Sequence, residues 1–546
     1  MSSLKEYVVT LKNIEDLDQF YEDMETAGGD LYIPNRVVDL AYRRENSRNT
    51  HYYLTKEEAL LLKSDPRVVD VELTIKDLPV VIRPAYIQTE TTWDKTSANT
   101  ASHKNWGLLR VVNGVQISNW GSDATPSSAR TQTGTIQVNA QARNVDVVIV
   151  DGMINPAHPE YALNSDGTGG TRVIQYNWFQ HRPSVEGSSA GNYVYTPYTG
   201  TGAEADNNHG AHVAGTACGN TQGWARSANI YNINPYGSDV NSMNSNFLFD
   251  YIRAFHNNKS VNPNTGRRNP TICNNSWGAF YNLGISSITS VRYRGTTTAL
   301  SNPSEGTLLN YGIYSSGGYA ATPLRNSALD ADIQDAINDG ILFVGAAGNS
   351  YAKMDISGGL DYDNYYVWGG NTIYYHRGGS PASAATVICV GAVGSTIAET
   401  KATFSHCGPR VDLYAPGANI MSSFNSSASY GGVSDPRNAS YIIGKIGGTS
   451  MASPQVTGVL ACALEIYPNM TQSMAVQYIQ AYGKLSQMTD TGGGFTDYTS
   501  LQGGANRYLF YYKERKDSGN TWPKVNHFVR PSTGVYWPRA KIRRTS

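Results

Sequence analysis

Val145-Asp146-Val147-Val148-Ile149-Val150-Asp151 is a nearly unbroken apolar run of strand length. Such a strand lacks the in-out alternation of a half-exposed sheet. It must be covered on both faces, as a parallel strand is between two layers of helices. Ile341 to Asn349 repeats the pattern. A helix over Ala328 to Asn338, with Leu329, Ile333, Ala336 and Ile337 on one face, precedes it across an Asp339-Gly340 turn. Thr271 to Gly278 reads as a further strand end. Strands alternating with helices predict an α/β fold, a doubly wound and mostly parallel sheet. Asp151 lies at the C-terminal end of its strand, where open α/β sheets place their sites. A turn residue or a helix cap is the plain alternative for an aspartate there.

Small residues crowd Gly447-Gly448-Thr449-Ser450-Met451-Ala452-Ser453-Pro454. Val456, Val459, Leu460, Ala463, Leu464 and Tyr467 follow at helical spacing until Pro468 stops the pattern. A serine at a helix start is usually a cap. Here the glycines leave room for another chain to approach, and the helix N-terminus favours negative charge developing beside the hydroxyl. A serine nucleophile needs a base and an orienting acid. His209-Gly210-Ala211-His212-Val213-Ala214-Gly215-Thr216 reads as a helix start rich in small residues. Its histidines stand three apart rather than four and lack the intervening glutamate of a zinc helix. One base and one packing histidine is the expected division.

The chain has 546 residues and a formal net charge of −1, so nothing global points to nucleic acid. No run of 18 apolar residues predicts a membrane span. The start, Met1-Ser2-Ser3-Leu4-Lys5-Glu6-Tyr7, has no apolar signal-peptide core, which predicts an intracellular or particle-associated protein rather than a classically secreted one. Cys218, Cys273, Cys389, Cys407 and Cys462 are odd in number and follow no metal spacing, so buried free thiols are expected. Tyrosines number 37 against 12 phenylalanines, and surface and loop packing is the expected use.

Residues 1–80 read as βαββαβ, the split-βαβ or ferredoxin-like order. Its strands are Tyr7–Leu11, Val37–Tyr42, His51–Leu54 and Val68–Leu73, and its helices are Ile14–Met24 and Lys56–Ser64. Residues 81–104 read as a polar, cleavable linker. Residues 280–326 and 351–380, rich in Gly, Ser, Tyr and Asn, read as long loops. Residues 513–546 hold nine Lys/Arg against two acids, which predicts a solvated extension or an anchor to an acidic partner or assembly.

Taken together, these stretches resemble the subtilisin-like serine proteases. Gly448 to Pro454 is similar to the family's serine motif at every position, and His209 to Thr216 to its histidine motif with Ala211 in place of Thr. Ala346-Ala347-Gly348-Asn349 is similar to the oxyanion-asparagine stretch. Val387 to Val393 and Phe404 to Gly417 resemble further core segments, Asn105 to Arg110 the start of the mature enzyme, and Gly504 to Arg507 its closing stretch. The order Asp, His, Ser is the subtilisin order. A lipase-like hydrolase would carry Gly-x-Ser-x-Gly and the order Ser, acid, His. Two departures stand out: Gly152-Met153 follows the aspartate, and Gln455 replaces a usual histidine.

The resemblance implies a subtilisin-type catalytic domain over 105–512 behind an inhibitory propeptide over 1–80. It implies a serine endopeptidase acting on polypeptides, made as a zymogen that cuts itself, with Ser450 as nucleophile, His209 as base, Asp151 as acid and Asn349 in the oxyanion hole. Ser276, Trp277, Gly278, Ala346, Ala347 and Gly348 would line the cleft, with Trp277 as a pocket wall or, as the plain alternative, packed in the core. No cofactor is required for the chemistry. Asn155, His158, Pro159 and Glu160 keep the family's familiar spacing after Asp151, which supports Asp151 as the acid. The family's use of structural calcium points to Glu160 as an acidic ligand, and Asp355, Asp361 and Asp363 read as a second site or as solvated loop. A latent or structural protein of a larger assembly, built on the same scaffold, is the alternative reading.

Overall fold

The structure is a computed structural model. It describes residues 4–26, 39–44, 46–74, 80–84, 106–114, 138, 140–187, 194–198, 208–236, 243–396, 398–425 and 433–512. The expectations for the 85–104 part of the linker and for the basic 513–546 extension lie outside the described residues.

Asp146–Val150 sits inside a nine-stranded sheet. The strand order is Lys484–Leu485, Arg507–Tyr508, Leu413–Pro416, Ile388–Val393, Leu342–Ala346, Thr271–Asn275, Asp146–Val150, Asn229–Ile233, Val173–Ile174. Every pair is parallel except the edge pair Lys484–Leu485 with Arg507–Tyr508. Helices cover both faces, which is why the central strands are apolar without alternation. One cluster gathers Val147, Ile149, Val344 and Val390 with Val213 of helix Asn208–Cys218 and Val456, Val459 and Leu460 of helix Thr449–Ile466. The other gathers Val148, Val150 and Phe343 with Phe249 and Ile252 of helix Leu248–Asn258 and Leu329 and Ile333 of helix Ser327–Asn338. All five cysteines are buried free thiols. Among the described residues no helix is long and apolar enough to cross a membrane.

At the N-terminal end four antiparallel strands run in the order Asp39–Tyr42, Asn49–Leu54, Lys5–Leu11, Val68–Leu73. This is the arrangement of a split βαβ unit. Helix Lys56–Leu62 starts at a capping box, with Glu58 N–H donating to Thr55 Oγ1 and Thr55 N–H to Glu58. The first helix begins later than the periodicity predicts. Ile14–Asp16 is a 3₁₀ turn, and Leu17–Glu25 is the α-helix whose Leu17, Phe20, Tyr21 and Met24 enter the core.

The module docks through Arg44, Ser47, Asn49 and Glu72. Arg44 is buried between Asp250 of helix Leu248–Asn258 and Asp332 of helix Ser327–Asn338, at 2.6 and 2.8 Å. Ser47 Oγ and Asn49 Nδ2 donate to the other oxygen of Asp332 at 2.7 and 2.9 Å. Glu72 accepts from Ser327 N–H at 2.8 Å, at the start of that second helix.

Residues 280–326 and 351–380 are not loops throughout. Trp277–Gly284 pairs with Tyr319–Pro323 on one side and Val80–Pro84 on the other, and Ser315–Ser316 completes a four-stranded antiparallel sheet. A second such sheet runs Thr296–Ala299, Ile288–Tyr293, Tyr365–Trp368, Asn371–Tyr374. Gly369-Gly370, both at positive φ, close the last hairpin in two residues. Leu283 of the first small sheet packs with Ile288, Val291, Tyr366 and Tyr375 in one shared core, so several tyrosines pack inside rather than on the surface. Val80–Pro84 is likewise a strand, where the sequence suggests the domain boundary and the start of the linker.

Candidate active site

Asp146–Val150, Thr271–Asn275 and Leu342–Ala346 are parallel neighbours, so Asp151, Ser276–Gly278 and Ala347–Asn349 leave the sheet together at its C-terminal edge. Asp151 is held by its backbone: Asn232 Nδ2 donates to the carbonyls of Ile149, Asp151 and Gly152. Gly210 lets the next helix approach. A Cβ there would stand 2.0 Å from the Gly152 oxygen, so any side chain would push His209 away from Asp151. As it stands, His209 Nδ1 is 2.7 Å from Asp151 Oδ1, and both residues are buried. That oxygen also accepts from Gly152 N–H at 2.8 Å and from the Tyr236 hydroxyl at 3.4 Å. A carboxylate only accepts, so Nδ1 carries the proton and Nε2 of a neutral imidazole keeps its lone pair. His212, three residues on, faces away. Its Nε2 lies 2.8 Å from the Ile420 carbonyl, and burial holds it down at about 3, a packing histidine.

Ser450 is the second residue of helix Thr449–Ile466, behind Gly448. Pro454 has no N–H for the Ser450 carbonyl four residues back. The Ser276 hydroxyl fills that role, donating to the carbonyl at 3.0 Å, while the Ser450 hydroxyl donates to the Ser276 carbonyl at 3.0 Å. Asn274 Nδ2 fixes Ser276 Oγ in turn at 2.9 Å. Gln455, the departure in the serine motif, accepts from the buried Trp224 indole at 2.6 Å and serves packing.

Asn349 is turned by Thr449. The Thr449 N–H and hydroxyl both donate to Asn349 Oδ1, each at 2.9 Å, and Thr449 Oγ1 accepts from Gly348 N–H at 3.1 Å. With its oxygen so held, the Asn349 amide faces elsewhere, and Nδ2 is a buried donor without a partner. An unsatisfied buried donor costs about 1–3 kcal/mol. One held by Thr449, the residue before Ser450, is available to a developing oxyanion.

Trp277 and Gly278, directly after Ser276, start the strand that pairs with Val80–Pro84. The Trp277 side chain is 1% exposed and lies parallel to Phe249 within the core, so that residue offers the groove its backbone and not a pocket wall. Ala346 and Ala347 are buried at the end of their strand, and Gly348 turns the chain with φ +116°.

Calcium does not fit the acidic residues. Both oxygens of Glu160 are already occupied: Arg437 Nη2 and the Thr221 hydroxyl reach one, and the N–H groups of Thr221 and Gln222 the other at 3.0 and 3.2 Å. Burial alone would raise its carboxyl, but Arg437 and the Thr221 donors hold it down at about 2. Arg437, which also pairs with Asp435 at 2.6 Å, stands where a cation was expected. The second cluster is dispersed in the same way. Asp361 pairs with Arg294 and Lys353, Asp363 with Arg377, and Asp355 accepts from the Ile356 and Asp361 N–H groups. Among the described residues no group of three or more His, Cys, Asp or Glu is placed to hold a metal.

Replacing Arg437 by methionine is expected to cost about 3–5 kcal/mol in denaturant unfolding, because Glu160 and Asp435 become uncompensated buried charges. Adding Glu160→Gln should recover part of that loss.

Sequence reasoning singled out Asp151, His209, Ser450, Asn349 and Ser276. It passed over Asn232, Asn274 and the turning role of Thr449. Only Pro454, four residues after Ser450, was a readable sign that the serine carbonyl needs an outside donor.

A family model described as the subtilase family matches residues 142–494, well over half of the chain. A subtilisin-like protease of Coccidioides posadasii is 27% identical over 367 residues, covering 63% of this chain and 59% of that protein. Alkaline serine exoprotease A of Vibrio alginolyticus is 27% identical over 341 residues, covering 62% and 46%. The chain spans about half the length of the curated relatives it matches. Two solved structures are similar. The first, a cold adapted subtilisin-like serine proteinase, has TM-score 0.43 and 20% identity over 75% of this chain and 99% of its own. The second, fervidolysin from Fervidobacterium pennivorans, has TM-score 0.46 and 17% identity over 92% and 60%.

Proposed function

The chain belongs to the subtilase family, and we propose that it is a serine endopeptidase working through Asp151, His209, Ser450 and Asn349. Ser450 Oγ attacks the peptide carbonyl while His209 Nε2 takes its proton. The same imidazolium then protonates the leaving amine, and water repeats the sequence on the acyl-enzyme. Asp151 holds the Nδ1–H tautomer and stabilises the imidazolium. The Asn349 amide and the Ser450 N–H receive the oxyanion. The observation that carries this reading is the Asn349 amide, whose oxygen is held by Thr449 while its buried N–H has no partner.

The substrate is a polypeptide in extended form, added as a strand to Trp277–Gly284. Val80–Pro84 occupies that edge, antiparallel, with Pro84 opposite Trp277. Trp277 follows Ser276, whose carbonyl holds the Ser450 hydroxyl. The N-terminal module is therefore the enzyme's own first substrate and then its inhibitor, cut beyond Pro84.

Treating the protein with a fluorophosphonate and following hydrolysis of a chromogenic peptide amide tests the reading. One label per chain and measurable turnover are expected, both lost in Ser450→Ala. Labelling that survives in Ser450→Ala would contradict it.

A further inference from the structure

Asn349 is gripped from two sides, and only one of them belongs to the helix that carries Ser450. On the other side stands His406, fully buried. Its backbone N–H donates to the Gly348 carbonyl at 2.9 Å, and its Nε2 lies 2.8 Å from the Ser350 hydroxyl. It thus spans Asn349 by touching both chain neighbours. The ring also fills the space beneath Gly348. A Cβ on that residue would stand 2.4 Å from His406 Cε1 and 2.7 Å from Nδ1. Gly348 at φ +116° is a conformation that side chains rarely adopt, so this turn depends on its surroundings. His406 is itself tied to the central sheet. The Ser405 hydroxyl donates to the His406 carbonyl at 2.8 Å and accepts from Ala392 N–H, of strand Ile388–Val393, at 2.9 Å.

We infer that His406 is a positioning residue for the oxyanion donor, propping Gly348–Ser350 so that the Asn349 amide points at the reacting carbonyl. This rests on the role proposed above for Asn349. Burial, and then Lys401, hold the imidazole down at about 3. The prop is therefore neutral at neutral pH, and it adds no charge of its own beside the oxyanion. A displaced donor loses most of its value, because a misplacement of about 1 Å can cost roughly 100-fold in rate.

The test measures kcat and KM for a chromogenic peptide amide with wild type, His406→Ala, His406→Gln, Asn349→Ala and the double variant His406→Ala/Asn349→Ala. The expected result is a fall in kcat of about 10–100-fold for His406→Ala at nearly constant KM. His406→Gln, which keeps a polar reach to Ser350, restores most of it. In the Asn349→Ala background the His406 change adds little, since there is no donor left to position. Equal losses in both backgrounds, or a loss carried by KM, would overturn the inference. If His406→Ala fails to fold, Ser350→Ala takes its place in the same cycle and is read the same way. Asn349→Ala alone separates the two claims. Unchanged kcat there removes the oxyanion assignment itself, whereas a large effect with additive losses removes only the role of His406.

Discussion

His209→Ala is expected to lower kcat by on the order of 10⁴ to 10⁶-fold, the size of loss that follows removal of the base from a serine triad. The Ser450 hydroxyl is poorly acidic, and the Ser276 carbonyl to which it donates accepts a hydrogen bond but cannot take the proton away. The other nearby histidine, His212, is engaged by the Ile420 carbonyl and cannot substitute. The fold should survive. Asp151 would keep Gly152 N–H and the Tyr236 hydroxyl, and the helix around residue 209 is packed by Val213, Ala214 and Ala217. Peptide hydrolysis together with a thermal melt separates loss of chemistry from loss of structure.

Arg44→Met is expected to weaken docking of the N-terminal module by about 3–5 kcal/mol. Arg44 is the cation between Asp250 and Asp332, and all three side chains are at most 3% exposed. Removing it leaves two buried carboxylates facing each other; Ser47 and Asn49 relieve Asp332, and Asp250 keeps only the longer contact to Arg253 at 3.8 Å. By contrast, Lys63–Asp70 within the module is 44% and 28% exposed, and breaking it should cost at most about 1 kcal/mol. The readout is the fraction of N-terminal fragment that stays with the body after the chain is cut. The triple variant Arg44→Met/Asp250→Asn/Asp332→Asn should recover part of the loss, because no buried charge remains. Equal retention of the fragment by wild type and Arg44→Met would mean that the Val80–Pro84 strand, not the arginine, holds the module.

The parallel sheet was readable because strands covered on both faces are written as apolar runs, Val147–Val150 and Leu342–Val344 among them. The site was readable because close approach needs small residues at fixed spacing, as at Gly210 and Gly448. The two small antiparallel sheets were not. Tyrosine, serine and glycine in 280–326 and 351–380 compose loops and hairpins alike, and only pairing between distant strands, such as Ile288–Tyr293 with Tyr365–Trp368, decides between them. Glu160 misled for a similar reason. Its position suits a calcium ligand, and the guanidinium that replaces the ion arrives from Arg437, 277 residues away. Trp277 is on the groove strand, but which face its indole takes depends on Phe249, in another element. Arg44 carries no sign of its burial, because both partners come from helices far along the chain.

The most direct test of the central claim is the intact mass of wild type beside Ser450→Ala, expressed and purified alike. A self-cutting serine endopeptidase predicts a wild type that has lost its N-terminal module at a bond beyond Pro84, beside a Ser450→Ala that keeps its full length. The same full-length mass for both proteins, or the same cut in both, would contradict it.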